Sequence, residues 1–503
     1  MPETRARDLR IAWALGGLAV AIQMLTNGRY GYFRDELYYL AAGDHLAFGY
    51  VDFAPLIAWI TRASRFALGD SLHAIRVVPA LAFGGEVVLT GVIARQLGGG
   101  RWAELLSCLS VLLCPVALVN GGRLSMNPLE PLFWMGCVCI LLEAIRSERP
   151  KLLLWCGVLA GLGLENKHST VFFLGALAVG LLAAPERRLL ATRWFWMAMA
   201  IAFLLALPNA VWQYAHHFPT LEDLRHVKEL HKNVELAPLP FLVQQIMMLL
   251  PVSALVWVAG LGFLLVRRRA LGVTYLALLA VMMALKAKDY YLAPIYPMLF
   301  AAGGVLWERW KSRRGFGWIG VALPAVIVAL GIVATPLVLP ILPAERIGPY
   351  MQALGVPMTR TETGMKGRLP QYFGDEFGWP EMVEAVASVY NALPPAERAK
   401  TAILAGNYGE AGAIDFFGPR YGLPKAISGH QNYYYWGPRQ YTGESLILLE
   451  WSRARAERWC RNVETGPAIA PYYGMGWEFY SVLTCHGFKK PLAEAWPELK
   501  FWN

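Results

Sequence analysis

The sequence predicts a polytopic α-helical membrane protein that ends in a soluble α/β domain. Hydrophobic residues make up 56% of the chain, charged residues only 16%, and the mean hydropathy is +0.38. Apolar runs recur through the first two thirds of the chain, and many reach the roughly 18 residues that a bilayer-spanning helix requires. Beyond residue 340, charged residues, Gly, Pro and Tyr become frequent and the long apolar runs stop. We therefore predict a membrane domain over 1–340 and a soluble domain over 341–503.

The first span is predicted directly after a basic N-terminus. Arg5, Arg7 and Arg10 precede an apolar run of roughly 17 residues, close to the length of a membrane helix. A cleaved signal peptide ends in a small-residue cleavage site, whereas this run continues into Thr26-Asn-Gly-Arg-Tyr30. We therefore expect an uncleaved first span.

Further apolar runs bring the predicted number of spans to about eleven. They lie near 73–94, 102–120, 129–145, 152–164, 169–184, 194–214, 240–266, 270–286, 292–308 and 317–340. Basic residues concentrate in the loops on the side of the N-terminus, as the positive-inside rule expects of the cytoplasmic side. These residues are Arg95, Arg101, Arg146, Arg149, Lys151, Arg187, Arg188, Arg193, Arg267, Arg268, Arg269, Arg309, Lys311, Arg313 and Arg314. An odd number of spans then places the C-terminal domain on the outer side of the membrane.

The net charge of +10 is explained by these loops rather than by a nucleic-acid partner. No basic stripe with interleaved aromatic residues indicates a nucleic-acid surface. Membrane lipids are the expected surroundings, and nucleic acid is excluded as a partner.

The outer loops carry helical patterns that are too short to cross a bilayer. Residues 35–46 and 54–68 are predicted as amphipathic helices that lie in the membrane interface. Residues 215–239 form a polar loop that is long enough to cover a site.

The tail is predicted as a small α/β domain because strands alternate with helices. Its predicted elements are a helix over 381–393, a strand over 401–405, a short helix over 409–417, a strand over 445–450 and a helix over 453–461. The aromatic run 430–436 is expected to form an exposed loop.

Two of the seven cysteines, Cys460 and Cys485, lie in the soluble part. In an oxidising compartment they can form a disulfide, whereas in a reducing one they stay free. The other five lie in apolar runs, where cysteine usually acts as a small hydrophobic residue.

The stretch after the first span concentrates ionisable residues at the predicted outer surface. Arg34, Asp35 and Glu36 lie there with Tyr38 and Tyr39, and Asp52 follows shortly. Charges beside hydrocarbon are costly, so such a cluster indicates a functional site. Asp35 and Glu36 can cap a helix, since acidic residues favour its first turn. A carboxylate placed here can also act as a general base toward an acceptor hydroxyl, and the two roles are compatible.

Several outer-side cations break the positive-inside pattern. Lys167, Lys286 and Lys288 are three of these, and Arg76 and Arg123 are similar candidates. Each can simply snorkel at a helix end. Alternatively, they can neutralise the phosphate of an anionic lipid, whose leaving oxygen needs cationic stabilisation.

Three further groups lie close to these cations in the sequence. Glu130, near the outer end of a span, forms either a structural ion pair or part of the site. Tyr290 and Tyr291 follow Lys288 and are expected to support the site. A divalent metal is conceivable at His216 and His217, but adjacent histidines rarely face one ion, which favours a solvated loop.

The chain resembles the GT-C membrane glycosyltransferases, and within them glycosyltransferase family 39. This family groups dolichyl- and polyprenyl-phosphate-mannose-dependent transferases with the aminoarabinose transferases. The resemblance rests on the outer-face Asp35-Glu36, the interfacial helices around Pro55, the segment Ala74–Ala80 and the motif Lys288-Asp-Tyr-Tyr-Leu-Ala-Pro-Ile-Tyr-Pro297. It covers most of residues 10–310. The tail, with Asn407-Tyr-Gly-Glu-Ala-Gly412, is similar to the tails of bacterial members.

The resemblance implies transfer of a sugar from a polyprenyl-phosphate donor, with inversion, to a lipid, glycan or protein acceptor. The reaction would take place on the outer face of a bacterial cytoplasmic membrane, with a periplasmic C-terminal domain. By analogy Asp35 is the base, and Glu36 positions the acceptor or supports the base. Aminoarabinose-type members carry Lys-Pro-Pro where this chain reads Asp52-Phe-Ala-Pro55. The donor phosphate must then be held by another cation, and Lys167, Lys288 and Arg76 are the main candidates.

Two other functions are consistent with parts of the sequence. A transporter or flippase for an amphipathic anion also needs charges within a membrane domain, but it usually has repeated halves and paired interrupted helices, which are not evident here. A carbohydrate-binding tail on a membrane anchor would not need about eleven spans.

Overall fold

The structure is a computed structural model that describes residues 9–313, 315, 317–358, 361–364 and 367–502. Arg5, Arg7 and Arg314, which contribute to the predicted charge pattern, lie outside the described residues. The first part of the chain is helical throughout. Its helices are α1 (Arg10–Thr26), α2 (Arg34–Asp44), α3 (Leu56–Leu68), α4 (Leu72–Ile75), α5 (Val77–Gln96), α6 (Arg101–Leu112), α7 (Pro115–Gly121), α8 (Glu130–Arg146), α9 (Leu153–Asn166), α10 (Thr170–Leu182), α11 (Arg193–Ala215), α12 (Pro219–Glu229), α13 (Pro238–Met248), α14 (Ala254–Arg267), α15 (Arg269–Ala284), α16 (Tyr296–Lys311) and α17 (Ile319–Ala334).

A helix is found at each predicted span, but not every span is straight. Over 102–120 the chain bends by 65° between α6 and α7, and over 240–266 it bends by 103° after α13. Pro115 and Pro251 begin the new segments, because proline has no N–H to donate to the preceding turn. The predicted span over 240–266 is thus a bent pair of helices, and its crossing of the membrane stays a prediction.

Three helical stretches of the described chain are long and apolar enough to cross a membrane alone. They are Leu72–Gln96, Arg193–Ala215 and Ile319–Leu337, and three bent pairs can raise the number to six. The count of about eleven spans stays a prediction.

The outer helix α2 is enclosed by protein and lacks the exposed face of the predicted amphipathic helix, whereas its position in the membrane interface stays a prediction. Its residues 36–43 are all buried. Leu37, Tyr38 and Leu40 share an apolar cluster with Val383 and Ile403 of the C-terminal domain. Burial of this face against the tail stabilises both parts.

Helix α3 does keep the amphipathic pattern expected of it. Ile57 and Thr61 face the protein, whereas Trp59, Phe66 and Leu68 are exposed. This exposed face is consistent with contact to lipid headgroups and acyl chains.

The C-terminal part combines helices with one mixed sheet. Its helices are α18 (Ala344–Ala353), α19 (Gln371–Gly374), α20 (Trp379–Ala392), α21 (Pro395–Arg398), α22 (Tyr408–Phe417), α23 (Asn432–Trp436), α24 (Arg453–Trp459) and α25 (Leu492–Ala495). Its strands are β1 (Thr401–Ala405), β2 (Ile427–Ser428), β3 (Ser445–Leu448), β4 (Cys460–Ile469) and β5 (Tyr480–Phe488). Short 3-10 helices cover Pro150–Leu152, Pro185–Ala191, Pro251–Ser253, Asp289–Ile295, Thr335–Leu337, Gly418–Tyr421, Gly476–Glu478 and Trp496–Leu499.

The sheet has the order β2-β1-β3-β5-β4. Strand β1 pairs in parallel with β2 and β3, whereas β5 is antiparallel to β3 and β4. The sequence predicts β1, β3 and the helices that follow them. It misses β2, β4 and β5. Strand β2 has only two residues, and β4 lies at the sheet edge and exposes polar residues over most of its length. The domain boundary at 340/341 stays a prediction. Ile341, just beyond it, packs against the core of the membrane helices.

The aromatic run 430–436 is not the exposed loop that the sequence predicts. His430, Gln431, Asn432 and Tyr433 are buried, and the run contains the short helix α23. The ring of Trp436 stacks on His45, at a centroid distance of 4.2 Å. The run thus packs the C-terminal domain against the first outer loop.

Cys460 and Cys485 form a disulfide between β4 and β5, with Cα atoms 5.6 Å apart. The other five cysteines, Cys108, Cys114, Cys137, Cys139 and Cys156, are free.

The disulfide gives a direct chemical test. We expect alkylation of the denatured, unreduced protein to modify only the five free cysteines, and reduction to expose two more. Mass spectrometry of the alkylated peptides measures both numbers. Modification of Cys460 and Cys485 without reductant, in protein purified under non-reducing conditions, would contradict the pairing.

Candidate active site

Glu36 and Arg76 form a buried ion pair at the start of α2. Arg76 donates from Nε to Oε1 at 2.8 Å and from Nη2 to Oε2 at 2.7 Å. The backbone N–H groups of Phe33 and Leu124 also donate to this carboxylate, each at 2.8 Å. The Glu36 side chain is 0% exposed and that of Arg76 is 1% exposed. These contacts join α2 to the segments that begin α5 and follow α7.

This pairing bears on two predictions from the sequence. Arg76 is held by Glu36, and its role at the donor phosphate stays a prediction. Glu36 is buried, which fits its predicted role of supporting the base better than that of positioning the acceptor. Its contact with the N–H of Phe33 is the capping interaction that the sequence allowed as an alternative.

Asp35 lies one position earlier in α2 and faces the C-terminal domain, in a region bounded by Arg34, Tyr408 and Glu362 that we term the cleft. Its side chain is 32% exposed, in contrast to that of Glu36. Consecutive helical residues are about 100° apart around the axis, which lets the two carboxylates face different surroundings. The hydroxyl of Tyr408, at the start of α22, donates to Oδ1 of Asp35 at 2.8 Å. Nε of Arg34 lies 3.6 Å from the same oxygen.

A cationic cluster adjoins Asp35. Nη2 of Arg34 lies 3.2 Å from Oε1 of Glu362, and Nζ of Lys232 lies 4.0 Å from it. Burial raises the pKa of Glu362, but Arg34, Lys232 and Lys288 together lower it to about 2. Three cations thus act on the Glu362 carboxylate, and one of them, Arg34, also lies beside Asp35.

Two segments that are distant in sequence build this cluster. Lys232 belongs to the polar loop that the sequence predicted to cover a site. The N–H of Val234 donates to the carbonyl of Thr361 at 3.1 Å, and Asn233 pairs with Glu362 in an antiparallel bridge. The loop is thereby held over the cleft. No sequence signal points to Glu362, which lies in no recognisable motif.

Asp52 lies on another side of the cleft, where Tyr38 donates to it at 3.1 Å. Burial raises the pKa of Asp52 well above its ordinary value, and the negative charges of Asp223 and Asp35 add to this effect. The N–H of Asn432 donates to the Tyr38 hydroxyl at 3.0 Å. The predicted residues Asp35, Tyr38 and Asp52 are therefore gathered around one cleft.

Three other predicted residues also lie near the cleft. Asp35 contributes to the raised pKa values of Tyr39 and Tyr290, although burial is the larger cause for both. Tyr291 also contributes to the raised pKa of Tyr39, and its ring lies 4.3 Å from Nζ of Lys167.

The remaining predicted cations each have their own carboxylate partner. Lys167 donates to Glu130 at 3.0 Å, and the hydroxyl of Ser169 also donates to this carboxylate. Arg123 donates to Glu376 at 2.7 Å. These two pairs are buried, so Lys167 and Arg123 already have carboxylate partners, and their role at the donor phosphate stays a prediction. Glu130 is the structural ion pair that was one of its two predicted roles.

Lys286 is likewise removed from the cleft. It pairs with Glu235 at 2.7 Å on the surface, and its side chain is 62% exposed. Of the cations proposed from the sequence for the donor phosphate, Lys288 is the one whose charge acts on Glu362.

No metal centre is indicated by the described residues, among which no group of three or more His, Cys, Asp or Glu side chains is placed to hold an ion. The ring of His216 stacks on Trp212, with centroids 4.0 Å apart, and Nδ1 lies 2.8 Å from the Trp212 carbonyl oxygen.

Sequence comparison supports a membrane glycosyltransferase. A family model described as dolichyl-phosphate-mannose-protein mannosyltransferase matches residues 52–212. The lipid A galacturonosyltransferase RgtD of Rhizobium johnstonii is 27% identical over 230 residues, which are 44% of this chain and 47% of that protein. The undecaprenyl phosphate-α-4-amino-4-deoxy-L-arabinose arabinosyl transferase 1 of Pseudomonas fluorescens Pf-5 is 27% identical over 159 residues, or 30% of this chain and 29% of that protein. The chain thus spans less than half of the length of these relatives.

Structural comparison extends the likeness to nearly the whole chain. ArnT from Cupriavidus metallidurans bound to undecaprenyl phosphate matches with a TM-score of 0.60 and 12% identity, over 94% of this chain and 97% of that one. The oligosaccharyltransferase of Archaeoglobus fulgidus matches with a TM-score of 0.50 and 12% identity, over 93% and 73%. The resemblance to the GT-C membrane glycosyltransferases is therefore confirmed, and the chain has their fold.

The Glu36–Arg76 pair predicts a large and local stability effect. Replacing Arg76 by Met leaves a buried carboxylate unpaired, which should cost about 3 kcal/mol or more. Arg62, which pairs with Asp44 at the other end of α2, is a matched control, because its side chain is 56% exposed. Arg62→Met should cost less than about 1 kcal/mol. Thermal unfolding in detergent measures both effects, and equal melting temperatures for the two variants would contradict the structural role of Arg76.

Proposed function

We propose that the chain is an inverting glycosyltransferase that moves a sugar from a polyprenyl-phosphate donor to a lipid acceptor on the outer face of a bacterial cytoplasmic membrane. The observation that carries this proposal is the partly exposed carboxylate of Asp35 beside the cluster of Arg34, Lys232 and Lys288. The names of the relatives support both an undecaprenyl-phosphate donor and a lipid acceptor.

Asp35 acts as the general base in this proposal. It accepts the proton of the acceptor hydroxyl as that oxygen attacks the anomeric carbon from the face opposite the phosphate. The bond between the anomeric carbon and the phosphate oxygen breaks, and polyprenyl phosphate leaves with the electron pair. A positioned base of this kind typically contributes a factor of about 10² to 10⁴ to the rate.

Arg34, Lys232 and Lys288 stabilise the leaving phosphate. Negative charge grows on its oxygens as the bond breaks, and fixed cations nearby lower the energy of that state. Glu362 keeps these cations together before the donor binds. In this proposal the donor phosphate joins Glu362 as a second anion among the three cations.

The proposed orientation has the N-terminus in the cytoplasm and the C-terminal domain in the periplasm. The basic loops on one side of the apolar helices support it. The acceptor and the donor phosphate then meet Asp35 at the outer surface, where Trp59 and Phe66 of α3 are exposed.

Asp35→Asn tests the base directly. The amide cannot take up the proton, so kcat for transfer from a polyprenyl-phosphate sugar should fall by about 100-fold or more. Asp44→Asn makes the same chemical change at the far end of α2, where Asp44 pairs with Arg62 and Arg65 at the surface. This control should retain normal kcat. Near-normal turnover by Asp35→Asn would overturn the assignment.

Lys232→Gln and Lys288→Gln test the phosphate site. Each change removes one charge, and the KM for the polyprenyl-phosphate donor should rise by about tenfold. Lys286→Gln is the matched control, because Lys286 lies two positions from Lys288 but pairs with Glu235 on the surface. Steady-state kinetics with varied donor give these values. If both cleft variants keep the wild-type KM and kcat, these lysines do not serve the phosphate.

A further inference from the structure

We propose that Tyr408, supplied by the C-terminal domain, is a positioning residue that holds the carboxylate of Asp35 for catalysis. This inference rests on the proposed function, since it gives Tyr408 a role through the proposed base. It also gives the C-terminal domain a direct part in the reaction.

The contact between the two side chains is short and well supported. The Tyr408 hydroxyl donates to Oδ1 of Asp35 at 2.8 Å, although the residues are 373 positions apart in sequence. The Tyr408 ring stacks on Tyr38, with centroids 4.5 Å apart, and on His430, with centroids 5.1 Å apart. The guanidinium of Arg34 lies 5.5 Å from the ring centroid. Because the ring has neighbours on its faces and is only 8% exposed, the hydroxyl has little freedom to turn away.

The backbone of Tyr408 is fixed as well. Tyr408 is the first residue of α22, and the side chain of Asn407 caps this helix by accepting from the N–H groups of Gly409 and Glu410. The N–H of Tyr408 donates to Nδ1 of His430 at 3.1 Å. The position of the hydroxyl is therefore set by the fold of the C-terminal domain.

Two glycines allow α22 to approach α2 closely enough for this contact. A Cβ atom at Gly412 would lie 2.7 Å from the carbonyl oxygen of Leu37, and one at Gly409 would lie 2.6 Å from Cγ of Arg34. Such distances are shorter than real Cβ contacts, so the two helices meet at backbone distance. Leu37 and Arg34 flank Asp35 on α2. The glycines thus bring Tyr408 to the carboxylate.

The chemistry suits a positioning role. Burial raises the pKa of Tyr408 well above its ordinary value, so the hydroxyl stays protonated and donates. A carboxylate has two oxygens, and Tyr408 occupies Oδ1. Oδ2 is then left to receive the proton of the acceptor. A base that is oriented by a third group is the usual arrangement in proton-transfer sites.

Tyr408→Phe tests this role, because it removes the hydroxyl and keeps the ring. We expect kcat to fall by about tenfold with little change in the KM of the donor. A donated hydrogen bond favours the charged form of a carboxylate. Without this bond, kcat should begin to fall at a higher pH as the pH is lowered. The charged or titratable groups that face Asp35 are Arg34, Tyr39, Asp52, Tyr290, Asp375 and Tyr408. The change leaves all of these in place except the Tyr408 hydroxyl.

Tyr433→Phe is the matched control. Tyr433 is a buried tyrosine of the same domain, and its hydroxyl donates to Asp415, a carboxylate outside the cleft, at 3.1 Å. This variant loses an equivalent buried hydrogen bond but should keep the wild-type kcat and pH profile. An unchanged kcat and pH profile in Tyr408→Phe would overturn the inference, and so would an equal loss in both variants.

The same assay separates this inference from the proposed function. If wild-type protein transfers sugar and Asp35→Asn does not, but Tyr408→Phe is normal, only the positioning role fails. If wild-type protein transfers no sugar from polyprenyl-phosphate donors, or if Asp35→Asn remains active, the proposed function itself fails and Tyr408 loses its role with it.

Discussion

The buried pair of Glu36 and Arg76 is the constraint on which the cleft depends. An ion pair removed from water is tolerated only when its hydrogen bonds are nearly complete. Here the carboxylate receives Arg76 and the N–H groups of Phe33 and Leu124. These contacts fix the first turn of α2 against two other segments of the membrane domain. Asp35 lies in the same turn, directly before Glu36. The direction of its side chain is therefore set by the buried pair that Glu36 forms with Arg76.

The C-terminal domain packs against α2 and encloses the region around Asp35. The apolar face of α2 enters the core of the domain, α22 packs on α2 through its glycines, and residues 430–436 cover the first outer loop. The cleft is therefore bounded by membrane-domain helices on one side and by the sheet domain on the other. An independent binding module would not need to share its core with α2. The C-terminal domain is therefore a structural part of the region around Asp35.

The sequence predicts those features that depend on a local pattern of residues, such as the positions of the helices. Helices stand at every predicted span because hydropathy is a property of a short window. Asp35 is recognisable because a charge at a membrane surface is unusual. Pairing between distant residues is not visible in this way. Arg76 and Arg123 resemble free cations until the fold brings Glu36 and Glu376 to them. Glu362 and Tyr408 lie 328 and 373 positions from their partners on α2, and no motif connects them.

The distribution of ion pairs determines which cations can serve an anionic substrate. Lys167 pairs with the buried carboxylate of Glu130, and moving it to a phosphate would leave that carboxylate without its cation, at a cost of several kcal/mol. Arg123 pairs with Glu376, which also lies 3.8 Å from Arg76. Arg34, Lys232 and Lys288 instead act together on Glu362. In the proposed reaction a phosphate joins Glu362 among these three cations, beside Asp35. Position in the sequence does not distinguish these sets of cations, whereas their carboxylate partners do.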